Sequence, residues 1–358
     1  APASTYYTVK VKPGETVTVS TQKNPNGSKP NTEGKIYLSD QNAVFESSPE
    51  GKSVQKDQTI NGTALYDYTY TKHFDKGLGV QPDTTVRYMI PEGASAFKAT
   101  PTITDFVRGK DPSDSKAVFE FRIYLDGILK KSVILDGSML TGEQLNIPIN
   151  GEKTLDLVVI RAGSENVQES AAWLGAQIDV NGVDEFPSSL PDEALYLTDL
   201  EPDSQSGTLV ADRGADGGQI IIDHHAFARG LGVKGETSVT YSLGGLYEKL
   251  DVVIGAQNGF NTTGTLKVFL NDSQMPVLED SLNENNEKPI SIDLISEGKP
   301  ADTITLVTQS QDNMNLADPI LTVSEDADLT DPAIIAKKIT HANDIGHGQE
   351  KYELPKIP

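Results

Sequence analysis

Cysteine is absent from this chain of 358 residues, which excludes disulfides, thiol catalysis and thiolate metal sites. Basic residues are scarce: 30 Lys and Arg stand against 52 Asp and Glu, for a formal net charge of −22. Phosphate backbones are bound by clustered cations, so no nucleic acid partner is expected. No apolar run approaches the length of a membrane span, and no membrane insertion is expected either. Few windows carry a helical period, and tryptophan occurs once, at Trp173. The acidic excess is spread through loops rather than gathered in a tail, which suits a soluble extracellular module and leaves carboxylates over for calcium.

The first residues, Ala1-Pro2-Ala3-Ser4-Thr5, carry neither a basic start nor an apolar core. They read as what remains after cleavage or truncation. The last, from Lys351 to Pro358, read as the entry to a further module, so the native polypeptide is expected to continue.

What is present is a duplication. Gly77-Leu78-Gly79-Val80 is followed by Thr84-Thr85-Val86-Arg87-Tyr88, and Gly230-Leu231-Gly232-Val233 by Thr237-Ser238-Val239-Thr240-Tyr241. Glycine is kept where backbone must approach backbone, so the phrase is structural. Four further blocks answer one another in the same order. Tyr37-Leu38-Ser39-Asp40 pairs with Tyr196-Leu197-Thr198-Asp199, and Phe121 to Gly127 with Leu266 to Asp272. Thr154 to Val158 pairs with Thr303 to Val307, and Trp173 to Ile178 with Asn315 to Ile320. Two homologous domains of roughly 150 residues follow. The expected layout is an N-terminal hairpin and loop over 1–34, a first domain over 35–182, a linker over 183–193, a second domain over 194–326 and an extension over 327–358.

Within each domain, short β-branched and aromatic runs alternate with turn signals, which predicts an all-β fold of two tandem β-sandwiches of jelly-roll type. Tyr7 to Ser20, around Pro13-Gly14, reads as a hairpin, and Asp331-Pro332 as the start of a short helix through Lys338.

Several residues are candidates for chemistry. Sugar recognition needs an apolar face for the ring and fixed polar groups for its hydroxyls. Trp173 offers such a face or serves as a core residue of a late strand. Tyr66, Tyr68 and Tyr70 would share one strand face by the period of two. In Asp223-His224-His225, neighbouring imidazoles on a strand point to opposite faces and do not easily share a zinc ion. His225 and His73, just ahead of the glycine blocks, are better read as hydrogen-bonding groups. Asp111, Asp114, Asp212 and Asp216 stand in loops where hard oxygen donors suit calcium. No catalytic motif is recognised, so no enzyme is expected.

With these blocks assembled, each repeat resembles NPCBM, a carbohydrate-binding jelly-roll domain appended to bacterial extracellular glycoside hydrolases. The resemblance rests on the aromatic-Leu-Ser-Asp opening, the Gly-Leu-Gly-Val phrase, the Phe121 to Gly127 strand and the Trp173 to Ala176 segment, with Ser242 to Tyr247 matching a family turn. It implies a galactose-binding-like fold and a non-catalytic, secreted or cell-surface region that binds galactose-containing or related glycans beside further domains of the same polypeptide. It also implies a structural calcium in each sandwich, to which Asp40 or Asp199 would contribute alongside Asp212 and Asp216. Carried onto this chain, the sugar-binding set is Tyr68, His73, Gln81, Trp173, His225 and Lys234. Gln81 and Lys234 stand where the family often has His, and Asn315 stands at the place assigned to Trp173 in the second repeat. The alternative reading is a structural or adhesive module that has lost its sugar site and contacts protein partners.

Overall fold

The computed structural model describes residues 34–106, 110–163, 167–181, 186–283 and 287–327. The expected N-terminal hairpin and the helix after Asp331 lie outside the described residues. Both repeats belong to one compact unit.

The fold is β-sandwich of jelly-roll type. In the first repeat one sheet runs in the order Leu145–Pro148, Ala94–Thr104, Ser170–Val180, Gly77–Val80, Gln55–Lys56, with Lys35–Tyr37 also on Ser170–Val180. The other runs Ile128–Leu135, Phe119–Leu125, Thr154–Arg161, Thr84–Met89, Phe45–Ser47. Alternation along these strands sends Phe97, Ile103, Phe121, Ile123, Leu155, Leu157, Trp173 and Ile178 into one buried core.

The glycine phrase is where the chain changes sheet. In the first repeat Gly77–Val80 pairs with Ala171–Leu174, and Thr84–Met89 pairs with the Thr154–Arg161 strand of the opposite sheet. Between them lie Gln81, Pro82, which has no N–H to give a ladder, and Asp83 at φ 70°. In the second repeat the same path is one strand, Gly230–Ser242, whose first part pairs with Met314–Ala317 and whose second part pairs with Thr303–Gln309. A glycine, Gly235 at φ 74°, takes the corner there. That continuity joins the second repeat's strands into a single nine-stranded sheet.

Gly77 and Gly230 occupy matching environments. A Cβ on Gly77 would lie 2.7 Å from the carbonyl oxygen of Trp173, and one on Gly230 would lie 2.5 Å from that of Leu316. The strand register also corrects the alignment of the last block. Gly77 faces Leu174 and Gly230 faces Ala317, so Trp173 corresponds to Leu316 and Asn315 to Ala172. A slip of one residue exchanges the two faces of a strand, so Asn315 does not replace the core tryptophan.

Candidate functional site

The exposed aromatic groups of the first repeat gather on a short hairpin, Leu65–Tyr66 against His73–Phe74, directly ahead of the glycine phrase. The chain leaves the strand at Asp67, so Tyr66, Tyr68 and Tyr70 do not share a face. Tyr68 packs against the core, while Tyr66 and Tyr70 bring their rings to 5.8 Å at a tilt of 44°. His73 lies 4.9 Å from the Tyr66 ring, tilted by 55°. Together the three rings make an open aromatic corner with Tyr66 at its apex, and Tyr70 is 59% exposed. His73 Nδ1 lies 3.3 Å from the Asp75 carboxylate, which adds polar atoms beside the rings.

The loop that carries Tyr70 is built rather than slack. The Asp67 carboxylate accepts from Thr71 N at 2.9 Å, Thr71 Oγ1 at 3.0 Å and Lys72 N at 3.2 Å. Burial works against its ionised form, but these hydrogen bonds outweigh that and hold the carboxyl below its usual range. Tyr70 takes φ 56° and donates its backbone N–H to the Asp67 carbonyl, while Tyr68 N donates to Thr141 Oγ1 at 3.1 Å. A ring fixed in this way loses little freedom when a ligand covers it.

The remaining residues of the expected sugar set lie elsewhere. Trp173 is wholly buried, edge-on to Phe121 at 5.0 Å and Phe97 at 6.4 Å. It is a core residue with no face for a sugar. His225 is also wholly enclosed, for the different reason given below. Gln81 and Lys234 occupy the corresponding sheet-crossing corners of the two repeats, where Lys234 pairs with Asp312 at 3.0 Å. The six do not form one site.

Asp40, Asp199 and Asp212, three of the carboxylates assigned to calcium, each face a side-chain cation. Lys76 bridges Asp40 and Asp57, the latter at 3.0 Å. At the matching place in the second repeat, Arg229 joins Asp199 and Asp212, reaching the latter at 3.1 Å. Asp57 and Asp212 both adopt left-handed backbone, φ 60° and 57°, and accept from the N–H of Gly77 and Gly230 at 3.2 and 3.1 Å. Asp216 accepts from Gly218 N within its own turn. A side-chain ammonium thus stands between Asp40 and Asp57, and a guanidinium between Asp199 and Asp212. Among the described residues, no group of three or more His, Asp or Glu side chains is placed to hold a metal. Asp57, Lys76 and Arg229 were not among the residues singled out from the sequence, although Lys76 and Arg229 each stand directly before the glycine phrase.

The second repeat has a hairpin at the position of the first one's aromatic hairpin, Ile220–Ile222 against His225–Phe227. It lies against the Thr84–Met89, Phe119–Leu125 and Thr154–Arg161 sheet of the first repeat. His225 is stacked between Tyr124 at 4.2 Å and Phe227 at 4.1 Å. Its Nε2 lies 2.6 Å from Asp156 Oδ2 and its Nδ1 lies 2.9 Å from Glu287 Oε1. Asp156 in turn takes two bonds from Arg87, 2.6 Å from Nε and 2.7 Å from Nη2, and Arg87 also donates to Asp318. Asp318 stands at φ 46° on the bulge where the first repeat has Gly175, so the bulge aims its carboxylate at Arg87. At the rim, Arg122 reaches the Asp223 carboxylate at 2.8 Å, and a recess of about 250 Å³ opens between Asp83, Thr85, His224 and Asn258.

A Renibacterium salmoninarum protein named "Putative endo-alpha-N-acetylgalactosaminidase" is 30% identical over 146 residues, which are 39% of this chain and 9% of that protein. The chain thus matches only a small part of that relative's length. The tandem CBM51 modules of Sp3GH98, a family 98 glycoside hydrolase of Streptococcus pneumoniae, are 18% identical, with 81% of this chain and 99% of theirs covered at a TM-score of 0.36. The CBM51 of Clostridium perfringens GH95, solved with methyl-galactose, is 24% identical over 40% of this chain and 99% of its own, at a TM-score of 0.34. The CBM51-2 and INT domains of Clostridium perfringens ZmpB, solved with GlcNAc, are 26% identical over 40% of this chain and 31% of theirs, at 0.35. The NPCBM/NEW2 domain profile matches residues 34–179 and again 193–321. By these two matches, which account for most of its length, the chain belongs to the NPCBM/NEW2 domain family.

Proposed function

We propose that this chain is a non-catalytic carbohydrate-binding region of an extracellular bacterial protein, accessory to a glycoside hydrolase, and that its sugar site is the aromatic hairpin of the first repeat. Membership of the NPCBM/NEW2 family supports the class of ligand. The observation that carries the site is the corner of Tyr66, Tyr70 and His73, exposed and held by the Asp67 loop. Rings of this kind cover the C–H face of a sugar, and the His73–Asp75 pair supplies a donor and acceptors for its hydroxyls. A single such site is weak; its use is to raise the local concentration of a linked domain at a glycan surface.

The test is titration of the purified chain with methyl-galactoside and GlcNAc, followed by a glycan array. Binding is expected to weaken at least about tenfold in Tyr70→Ala and His73→Ala, as loss of roughly 1.4 kcal/mol requires. Absence of binding to every glycan would reject the proposal. A second reading, contact with a protein partner, is favoured by one observation: the edge strand Ile128–Leu135 exposes Ile128, Leu129 and Ile134.

A further inference from the structure

One hairpin, present twice, has two fates in this chain. Both copies pair an aliphatic residue with phenylalanine ahead of the glycine phrase, Leu65 with Phe74 and Ile220 with Phe227. In the first copy the connection from Asp67 to Lys72 carries Tyr70 into solvent. In the second it is cut to Asp223 and His224, both with positive φ, 44° and 67°, as a two-residue turn requires. That short hairpin enters the face of the first repeat's sheet. Ala226 N donates to Thr85 Oγ1 at 3.0 Å, Arg122 grips the turn through the carbonyl and carboxylate of Asp223 at 3.1 and 2.8 Å, and Ser47 Oγ donates to Gln219 at 2.6 Å.

The receiving face exists in one repeat only. Arg87 and Asp156 are directly opposite one another on neighbouring strands; the equivalent pair in the second repeat is Thr240 and Thr305, hydroxyl to hydroxyl at 2.9 Å. Uncharged threonines offer no counter-charge to a buried imidazolium. The buried charges of the first repeat, conversely, are completed by the second: Asp156 by His225, and Arg87 by Asp318. Separating the repeats would leave Arg87 and Asp156 with each other but take His225 from Asp156 and Asp318 from Arg87, so the buried cluster is complete only when both repeats are joined.

We infer that the second repeat's hairpin is an intramolecular plug, which locks the two repeats into one rigid body and leaves the first repeat's hairpin as the one copy free to meet a ligand. The joint is directional, since plug and socket differ, and it does not propagate to further copies. Rigidity stands on the joint itself; the single ligand site rests on the carbohydrate reading above.

Two measurements on the full chain test this. Scanning calorimetry of the wild type should show both repeats melting in one transition, with van't Hoff and calorimetric enthalpies in a ratio near one, and His225→Ala should divide it into two. Two transitions in the wild type would overturn the joint, as would a His225→Ala protein that is folded and still melts as one. Should His225→Ala fail to fold, Arg122→Ala, at the rim, is expected to broaden or divide the transition, and an unchanged one would count against the plug. Titration with methyl-galactoside should then give one mole bound per mole of chain, abolished by Tyr70→Ala. Two moles, or full binding in Tyr70→Ala, would overturn the single site while leaving carbohydrate binding intact. No binding to methyl-galactoside, GlcNAc or any arrayed glycan would overturn the carbohydrate reading and the single site with it, and the calorimetry would still decide the joint.

Discussion

His225 of the second repeat places Nε2 2.6 Å from the carboxylate of Asp156 in the first, with Glu287 on its other nitrogen at 2.9 Å. Burial alone would keep the ring neutral, but the two carboxylates outweigh it and raise His225 to about 9. The unfolded chain titrates near 6.5, so the folded state binds the proton more tightly. Its contribution to stability is complete below about pH 6.5 and is lost as the pH rises through about 9. At about 1.4 kcal/mol per pH unit, the effect is on the order of 3 kcal/mol. Urea unfolding of the wild type between pH 6 and 9.5 should show this decline, and His225→Gln, less stable at pH 6, should be nearly flat over the same window. A wild-type profile as flat as the variant's would show that the ring is not protonated in the joint. On the acid side, burial opposes ionisation of Asp156, but Arg87 and His225 hold its carboxyl well below the usual range. Its contribution is therefore present above the unfolded value near 4 and lost as the pH falls below it.

The lone tryptophan gives a direct optical check on the core. Trp173 is enclosed by Phe97 and Phe121, and its indole N–H has no hydrogen-bond partner among the described residues. Its emission should be that of a shielded indole, resistant to acrylamide and unmoved by saturating sugar. Trp173→Ala is expected to cost about 3–5 kcal/mol. Trp173→Phe should cost less, because it keeps an aromatic filler and removes an unpaired buried donor. Neither the phenylalanine variant's affinity nor its stoichiometry for glycans should change. Quenching of Trp173 by a glycan, with the fold intact, would place the ligand at the core strand and not at the hairpin.

The all-β sandwich was readable because alternating strands and a repeated glycine phrase are local signals, and Gly77 and Gly230 do meet the backbone of a neighbouring strand in the same way. The site was less readable. Tyr66, Tyr68 and Tyr70 alternate as a strand would, yet Asp67 captures the amides of Thr71 and Lys72 and turns the chain, which separates Tyr68 from the other two. Periodicity carries no sign of such a capture. The joint, by contrast, left a trace that only comparison of the two copies exposes. Thr85-Val86-Arg87-Tyr88 answers Ser238-Val239-Thr240-Tyr241, and Leu155-Asp156-Leu157 answers Ile304-Thr305-Leu306. Charges in the middle of two strands, where the sister strands carry threonine, mark a face that something must cover. Which element covers it is a long-range fact, and His225 gave no hint of its partner 69 residues away.

The two carboxylate–cation groups beside the glycine phrases differ in one respect that stability can measure. Lys76 lies between Asp40 and Asp57 with about a third of its side chain in solvent, whereas Arg229 is 9% exposed, meets Asp199 at 7% exposure and stacks on the Tyr196 ring at 4.8 Å. Solvent screens the first group, so Lys76→Met is expected to cost about 1 kcal/mol or less. In the second, Arg229→Met removes a largely buried guanidinium from its contacts with Asp199, Asp212 and the Tyr196 ring and takes away the bond to Thr198 Oγ1 at 3.0 Å, so it should cost about 3–5 kcal/mol. Denaturant titration of the two variants separates these values easily. Since side-chain cations already neutralise these carboxylates, stripping calcium with a chelator should leave the wild-type midpoint where it is. A chelator-sensitive midpoint in the wild type that became insensitive in Asp40→Asn or Asp199→Asn would mean that the carboxylates bind a metal after all, with Lys76 and Arg229 displaced from the positions they hold here.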